Sequence, residues 1–154
     1  MVKKYRAPKL VTVEPIGAVT HAPGPIPVVA MYRWAPPFGD GSPHPREAVA
    51  VAWTAAQVQV RTTWVETHTG VWLPARDVHR IVDIPNPVPV LARVTVKTGA
   101  LADVPGLALA HATNRRGEDL AVRVRLAPGT DDAHERWLLV EDLVDDDPLD
   151  DVPG

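Results

Sequence analysis

GVWLPARDVHR, residues 70–80, closes a run that begins with the valine-alternating QVQVRTTWVET at 57–67, and a later passage repeats its plan: LAVRVRLAPGTDDAHERWLLVEDLVDD, residues 120–146. Each copy sets Val-x-Val-Arg (58–61 and 122–125) ahead of Trp-Leu (72–73 and 137–138). Asp77 and Val78, or Asp142 and Leu143, stand five and six residues after the Trp. A sentence written twice in 154 residues implies a duplicated fold unit.

The periodicity around these motifs is that of strands. Gln57-Val-Gln-Val-Arg-Thr62 alternates valine with polar residues, and Glu47-Ala-Val-Ala-Val-Ala-Trp-Thr54 alternates valine and tryptophan with alanine. A period of two rich in β-branched residues marks half-buried antiparallel strands. Seventeen prolines and ten glycines leave few windows able to hold a helix of three turns, because proline removes an amide donor and clashes with the preceding turn. Strands are expected near 28–34, 47–54, 57–65, 70–74 and 78–82, and again near 90–97, 107–113, 120–126, 134–139 and 142–144. AVAVAWT corresponds to GLALAHA, VQVR to VRVR and VWLPARDV to RWLLVEDL, at an offset of about 64 throughout.

The boundaries follow from composition. Residues 1–25 form an N-terminal arm, in which LVTVE at 10–14 can add an edge strand before an irregular, polyproline-like stretch. Residues 26–83 are the first unit, the proline-rich 84–89 an extended linker, 90–144 the second unit and 145–154 an acidic tail. The tail region EDLVDDDPLDDVPG carries seven acidic residues and no basic one, a composition that favours disorder. APPFGDGSPHPRE at 35–47, with four prolines and two glycines, reads as a long exposed loop. Units of about 55 residues would each be marginal alone, so two cores sharing buried surface are expected.

Five short strands, a long proline-rich loop after the first, and a G-x-W-L-P-x-x-D-V close resemble an SH3-like barrel. In that family a comparable stretch forms a single 3₁₀ turn before the last strand. The resemblance rests on Gly70, Leu73, Pro74 and Val78 and implies two tandem five-stranded barrels, with Leu73, Val78, Leu138 and Leu143 in their cores. The position that forms the aromatic floor of a proline-peptide groove is Asp77 here and Asp142 in the second copy, and Leu139 replaces Pro74. The resemblance therefore carries the fold and not the usual proline-peptide binding. Val104-Pro-Gly-Leu107 and Trp72-Leu-Pro-Ala75 are also similar to segments of small actinobacterial proteins, a likeness that brings no activity with it.

The chain has no cysteine, which excludes disulfides, thiolate zinc sites and cysteine nucleophiles. The six histidines, at 21, 44, 68, 79, 111 and 134, lack metal-ligand spacing, and mid-strand His79 and His111 read as exposed or edge positions. GxSxG, P-loop, GxGxxG and HExxH motifs are all missing. The reading is a non-enzyme without cofactor or metal. No apolar stretch reaches the ~20 residues a membrane helix needs, so no membrane contact is expected and the default location is cytoplasmic.

Five tryptophans remain, four of them before residue 73. Trp53 shares a strand face with Val49 and Val51 and is read as core. Trp72 alternates with an inward Leu73, which turns Trp72, and likewise Trp137, towards the flank. Arg33, Trp34, Phe38, Arg61, Trp64, Trp72, Arg76 and Arg80 are the partner-binding candidates, since aromatic and arginine side chains dominate recognition surfaces. The formal charge of −3 divides into +4 for residues 1–82 (nine basic, five acidic) and −7 for 83–154 (seven basic, fourteen acidic). A protein partner ranks first, because the acidic balance disfavours a dedicated nucleic-acid binder. A nucleic-acid-associated regulator restrained by its acidic tail is the alternative, and a structural piece of a phage or mobile-element particle the third reading.

Overall fold

The computed structural model describes residues 9–37, 39–61 and 70–144. Phe38, Trp64 and the 145–154 tail lie outside the described residues. The described chain is all-β: eight strands and two single 3₁₀ turns, with no α-helix. Two compact units divide between Arg80 and Ile81.

In the first unit, β1 (Thr20–Tyr32), β2 (His44–Trp53), β3 (Gln57–Arg61) and β4 (Val71–Pro74) form an antiparallel meander. A 3₁₀ turn, Ala75–Asp77, then leads into β5 (Val78–Thr95), whose first residues return to β1 through Val28↔Arg80, Val29↔His79 and Ala30↔Val78. The ladder order is open: among the described strands β4 pairs on one side only. The second unit repeats the plan. The later part of β5 is followed by β6 (Leu101–Thr113), β7 (Asp119–Leu126) and β8 (His134–Leu139), then by a 3₁₀ turn, Val140–Asp142, and a bridge between Leu143 and Ala92.

The expected 3₁₀ turn after each Trp-Leu therefore forms, and both cores close around the expected leucines. Leu73 packs with Val28, Ala30, Tyr32, Ala48, Ala50 and Val60, and Val78 lies against this cluster. Leu138 packs with Ala92, Val94, Ala108, Val122, Val124 and Leu126, with Leu143 against them. Small alanines facing branched valines let neighbouring strands approach closely, at a gain of roughly 25 cal/mol for each Å² of apolar surface removed from water.

A register slip corrects the reading of Trp53. The ladder slips between Ala50 and Ala52 on β2, so Ala50 faces Val60 but Trp53 faces Val58. Val58 and Val60 both belong to the core side of β3. A bulge resets the period-two alternation, so Trp53 does not share a face with Val49, and the alanines 48, 50 and 52 are buried while Val49, Val51 and Trp53 are half-buried. The same slip occurs between Ala108 and Ala110 on β6, and places His111 opposite Val122. The outward reading of Trp137 also fails, since Trp137 is buried on the face opposite Leu138. His79, read as an exposed or edge residue, is buried opposite Val29.

The repeat offset is not constant. Matching ladder positions pair Ala30 with Ala92, Ala50 with Ala108, Val60 with Val124 and Leu73 with Leu138, which are 62, 58, 64 and 65 residues apart. The loops absorb the difference. The β1–β2 connection contracts in the second copy to the turn at Val96–Ala100, and the β2–β3 turn at Thr54–Gln57 expands to Asn114–Glu118. The clearest duplicated segment is Pro-Gly-Pro-Ile-Pro-Val-Val-Ala at 23–30 and Pro-Asn-Pro-Val-Pro-Val-Leu-Ala at 85–92. What composition marks as arm and linker is strand conformation in both copies. Prolines at alternate positions remove amide donors from a single strand edge. The β1–β5 ladder accordingly starts at Val28, immediately after Pro27.

Candidate functional site

The 3₁₀ turn of the first unit gathers the best-defined polar cluster. Asp77 is buried, and Arg33, at the end of β1, reaches it with Nε and Nη2 donating to the two carboxylate oxygens at 3.4 and 3.3 Å. The third guanidinium nitrogen, Nη1, donates to the carbonyl of Gly41 at 2.9 Å. One arginine thus ties the β1–β2 loop to the turn, using the fork geometry that lysine lacks. Ser42 holds the loop further: its amide donates to Asp40 at 2.9 Å, and its hydrogen bonds to Asp40, the side-chain one foremost, keep that carboxyl below its ordinary value. Arg76 projects from the same turn and is exposed.

Residues 9–16 lie along this region through main-chain bonds. Val11 donates to the carbonyl of Arg33 at 2.8 Å, Ala35 donates to the carbonyl of Lys9 at 2.8 Å, and Val13 donates to the carbonyl of Trp72 at 3.0 Å. Leu10 forms an antiparallel bridge with Trp34 and packs against the first core. Ile16 donates to the Gln57 carboxamide oxygen at 3.2 Å, an oxygen that also accepts from the Thr54 hydroxyl. The LVTVE segment read as a possible edge strand therefore spans from the end of β1 to the edge of β4 that no described strand pairs.

The sequence-derived candidates do not form one face. Trp72 is half-buried and sits opposite Gln59, on the side of the sheet away from the core, as does exposed Arg61. Arg80, exposed, is opposite core residue Val28, and half-buried Trp34 is bridged to the arm. Arg33 is engaged with Asp77, with its own side chain still partly open to solvent. Phe38 and Trp64 lie outside the described residues. The arm, Asp77 and Gln57 were missed as site residues; the alternation of Leu10, Val11 and Val13 was their only trace in the sequence.

His79 adds a titratable group two residues beyond Asp77. Burial lowers its pKa below the ordinary imidazole value, and the nearby Asp77 charge opposes this. Among the described residues no three His, Asp or Glu side chains gather as a metal site would require, and no helix is long and apolar enough to cross a membrane. The cluster offers hydrogen-bond donors and acceptors on a rigid frame, and main-chain groups that hold an extended segment. No protein-family model, no curated protein and no solved structure matches the chain.

Proposed function

We propose that the chain is a non-catalytic recognition module, two tandem SH3-like barrels of which the first binds a partner protein through the surface around Trp34, Trp72, Arg76 and the β1–β2 loop. The barrel reading draws support from the order of elements in both units: a four-strand meander, a single 3₁₀ turn, and a return to the first strand, by a short ladder in the first unit and a single bridge in the second. The observation that carries the function is the docking of residues 9–13 by main-chain bonds to Arg33, Ala35 and Trp72. A surface that holds an extended segment of its own chain has the hydrogen-bonding geometry to hold one from a partner by strand addition. Exposed Arg76 and the loop clamped by Arg33 supply side-chain selectivity beside it.

The test is affinity capture from the native cell extract with the full chain and with the double variant Trp72→Ala/Arg76→Ala. The variant loses the captured partner while its circular dichroism spectrum stays that of the folded parent, at a lower melting temperature that reflects the partial burial of Trp72. Capture that survives the double substitution removes this surface from the recognition site.

A further inference from the structure

The register of the two units is close enough to transfer positions between them. Trp72 lies opposite Gln59 on β4, and Trp137 lies opposite Arg123 on β8. Each is followed by a 3₁₀ turn ending in an aspartate, Asp77 or Asp142. Ala30 and Ala92, both fully buried, face Val78 and Leu143 after those turns. That match sets Thr95 where the first unit has Arg33.

Two differences follow. The first concerns the arm. Its counterparts, 62 positions beyond residues 10–13, are residues 72–75, which already form β4 and the start of the first 3₁₀ turn. Among the described residues of the second unit no segment lies along this edge as an arm, and no main-chain bond outside the ladders reaches Trp137. Among the described strands β8, like β4, pairs on one side only. The second difference is charge. The first unit sets Arg33 and Arg76 beside buried Asp77. The second sets Thr95, Glu141 and Asp142 at the same places, and no ion pair reaches Asp142 among the described residues. Among the described residues the buried indole N–H of Trp137 has no acceptor.

We infer that the edge of the second unit formed by Trp137, the Val140–Asp142 turn and Thr95 is a docking site for an extended basic peptide segment of a partner protein. The main chain of the segment occupies the place that residues 9–13 take in the first unit, and its Lys or Arg supplies the cation that Thr95 does not. Alternate β-branched residues suit the strand, as Val11 and Val13 do in the arm. A carboxylate pair that no described cation meets, at a strand edge that no described strand pairs, favours a basic ligand and rejects an acidic one. The inference rests on the recognition reading above but uses a different surface, so the two can fail separately.

The probe is the octapeptide of residues 9–16 carrying Glu14→Arg, titrated into ¹⁵N-labelled full-length protein, with the same octapeptide carrying Lys9→Glu and unchanged Glu14 as the acidic control. The basic peptide is expected to shift the Trp137 indole resonance while leaving that of Trp72 in place, and to bind at least about ten-fold more tightly than the acidic one. Asp142→Asn and Glu141→Gln together, with an unchanged melting curve, are expected to erase that preference. Equal binding of the two peptides overturns the inference, as does the absence of any shift at millimolar peptide. Shifts confined to Trp34 and Trp72 overturn it too, while leaving the first-unit recognition reading intact.

Discussion

The two units share a ladder register and differ in what they place at corresponding positions. Trp72 is half-buried where Trp137 is buried, Arg33 stands where the second unit has Thr95, Arg76 where it has Glu141, and His79 where it has Val144. The core positions scarcely change: Ala30 and Ala92, Val60 and Val124, and Leu73 and Leu138 are all buried. Identity is kept where side chains meet across a ladder and drifts around the 3₁₀ turn. Packing constrains the first set, because an added methylene has nowhere to go, and leaves the second free to diverge in charge. The units are a common frame carrying two different surfaces.

The largest expected contrast is at the tryptophans. Trp137→Ala removes a buried ring and costs about 3–5 kcal/mol by analogy with buried aromatic truncations. Trp72→Ala, at a half-buried position, costs about half of that. Urea denaturation of the two variants measures the difference, and equal losses would show that the two rings occupy equivalent environments.

The next contrast is ionic. Arg33→Ala leaves the Asp77 carboxylate buried without its partner and costs about 2–3 kcal/mol, a figure below that of a fully buried pair because Arg33 is partly open to solvent. Thr95→Ala, its counterpart, stays within about 0.5 kcal/mol of the parent. If Arg33→Ala is equally mild, the Arg33–Asp77 pair is not what distinguishes the first turn from the second.

The smallest effect is a slope with pH. His79 is depressed in the folded state, so the unfolded chain takes up the proton first as the solution is acidified. The neutral imidazole's contribution is complete above the unfolded value near 6.5 and is lost as pH falls through it towards the folded value. His79→Val, which imports the residue found at the matching position of the second unit, flattens that part of the profile. Urea midpoints measured from pH 7.5 to 5.5 compare the two, and an unchanged slope in the variant assigns the acid sensitivity elsewhere.

Much of this architecture was legible because the strands carry their own period. The runs at 57–61, 71–74, 120–126 and 134–139 are read correctly from valine alternation and from breakers at their ends. The 3₁₀ turns were legible from the Trp-Leu motif. Trp53 and Trp137 were misread because alternation is projected from a neighbour, and a single extra residue at Val51, or burial of the sheet's second face, cancels the projection. The prolines at 23–27 and 85–89 were read as breakers, although proline at alternate positions is compatible with an extended strand whose stripped edge lacks a ladder partner. The site was less legible than the fold. Arg33 and Asp77 are 44 residues apart, and no local pattern announces that they meet.

The sequence by itself determined that the chain is β-rich, that its plan is written twice, and which leucines and valines fill the cores, because strand period and hydrophobic content act over a few neighbouring residues. Only the tertiary structure decided that the arm spans from β1 to β4, that Asp77 is buried against Arg33, and that Thr95 takes the place of Arg33 in the second unit. Those outcomes depend on ladder register and on contacts between residues distant in the chain, and a slip of one position reverses every face that follows.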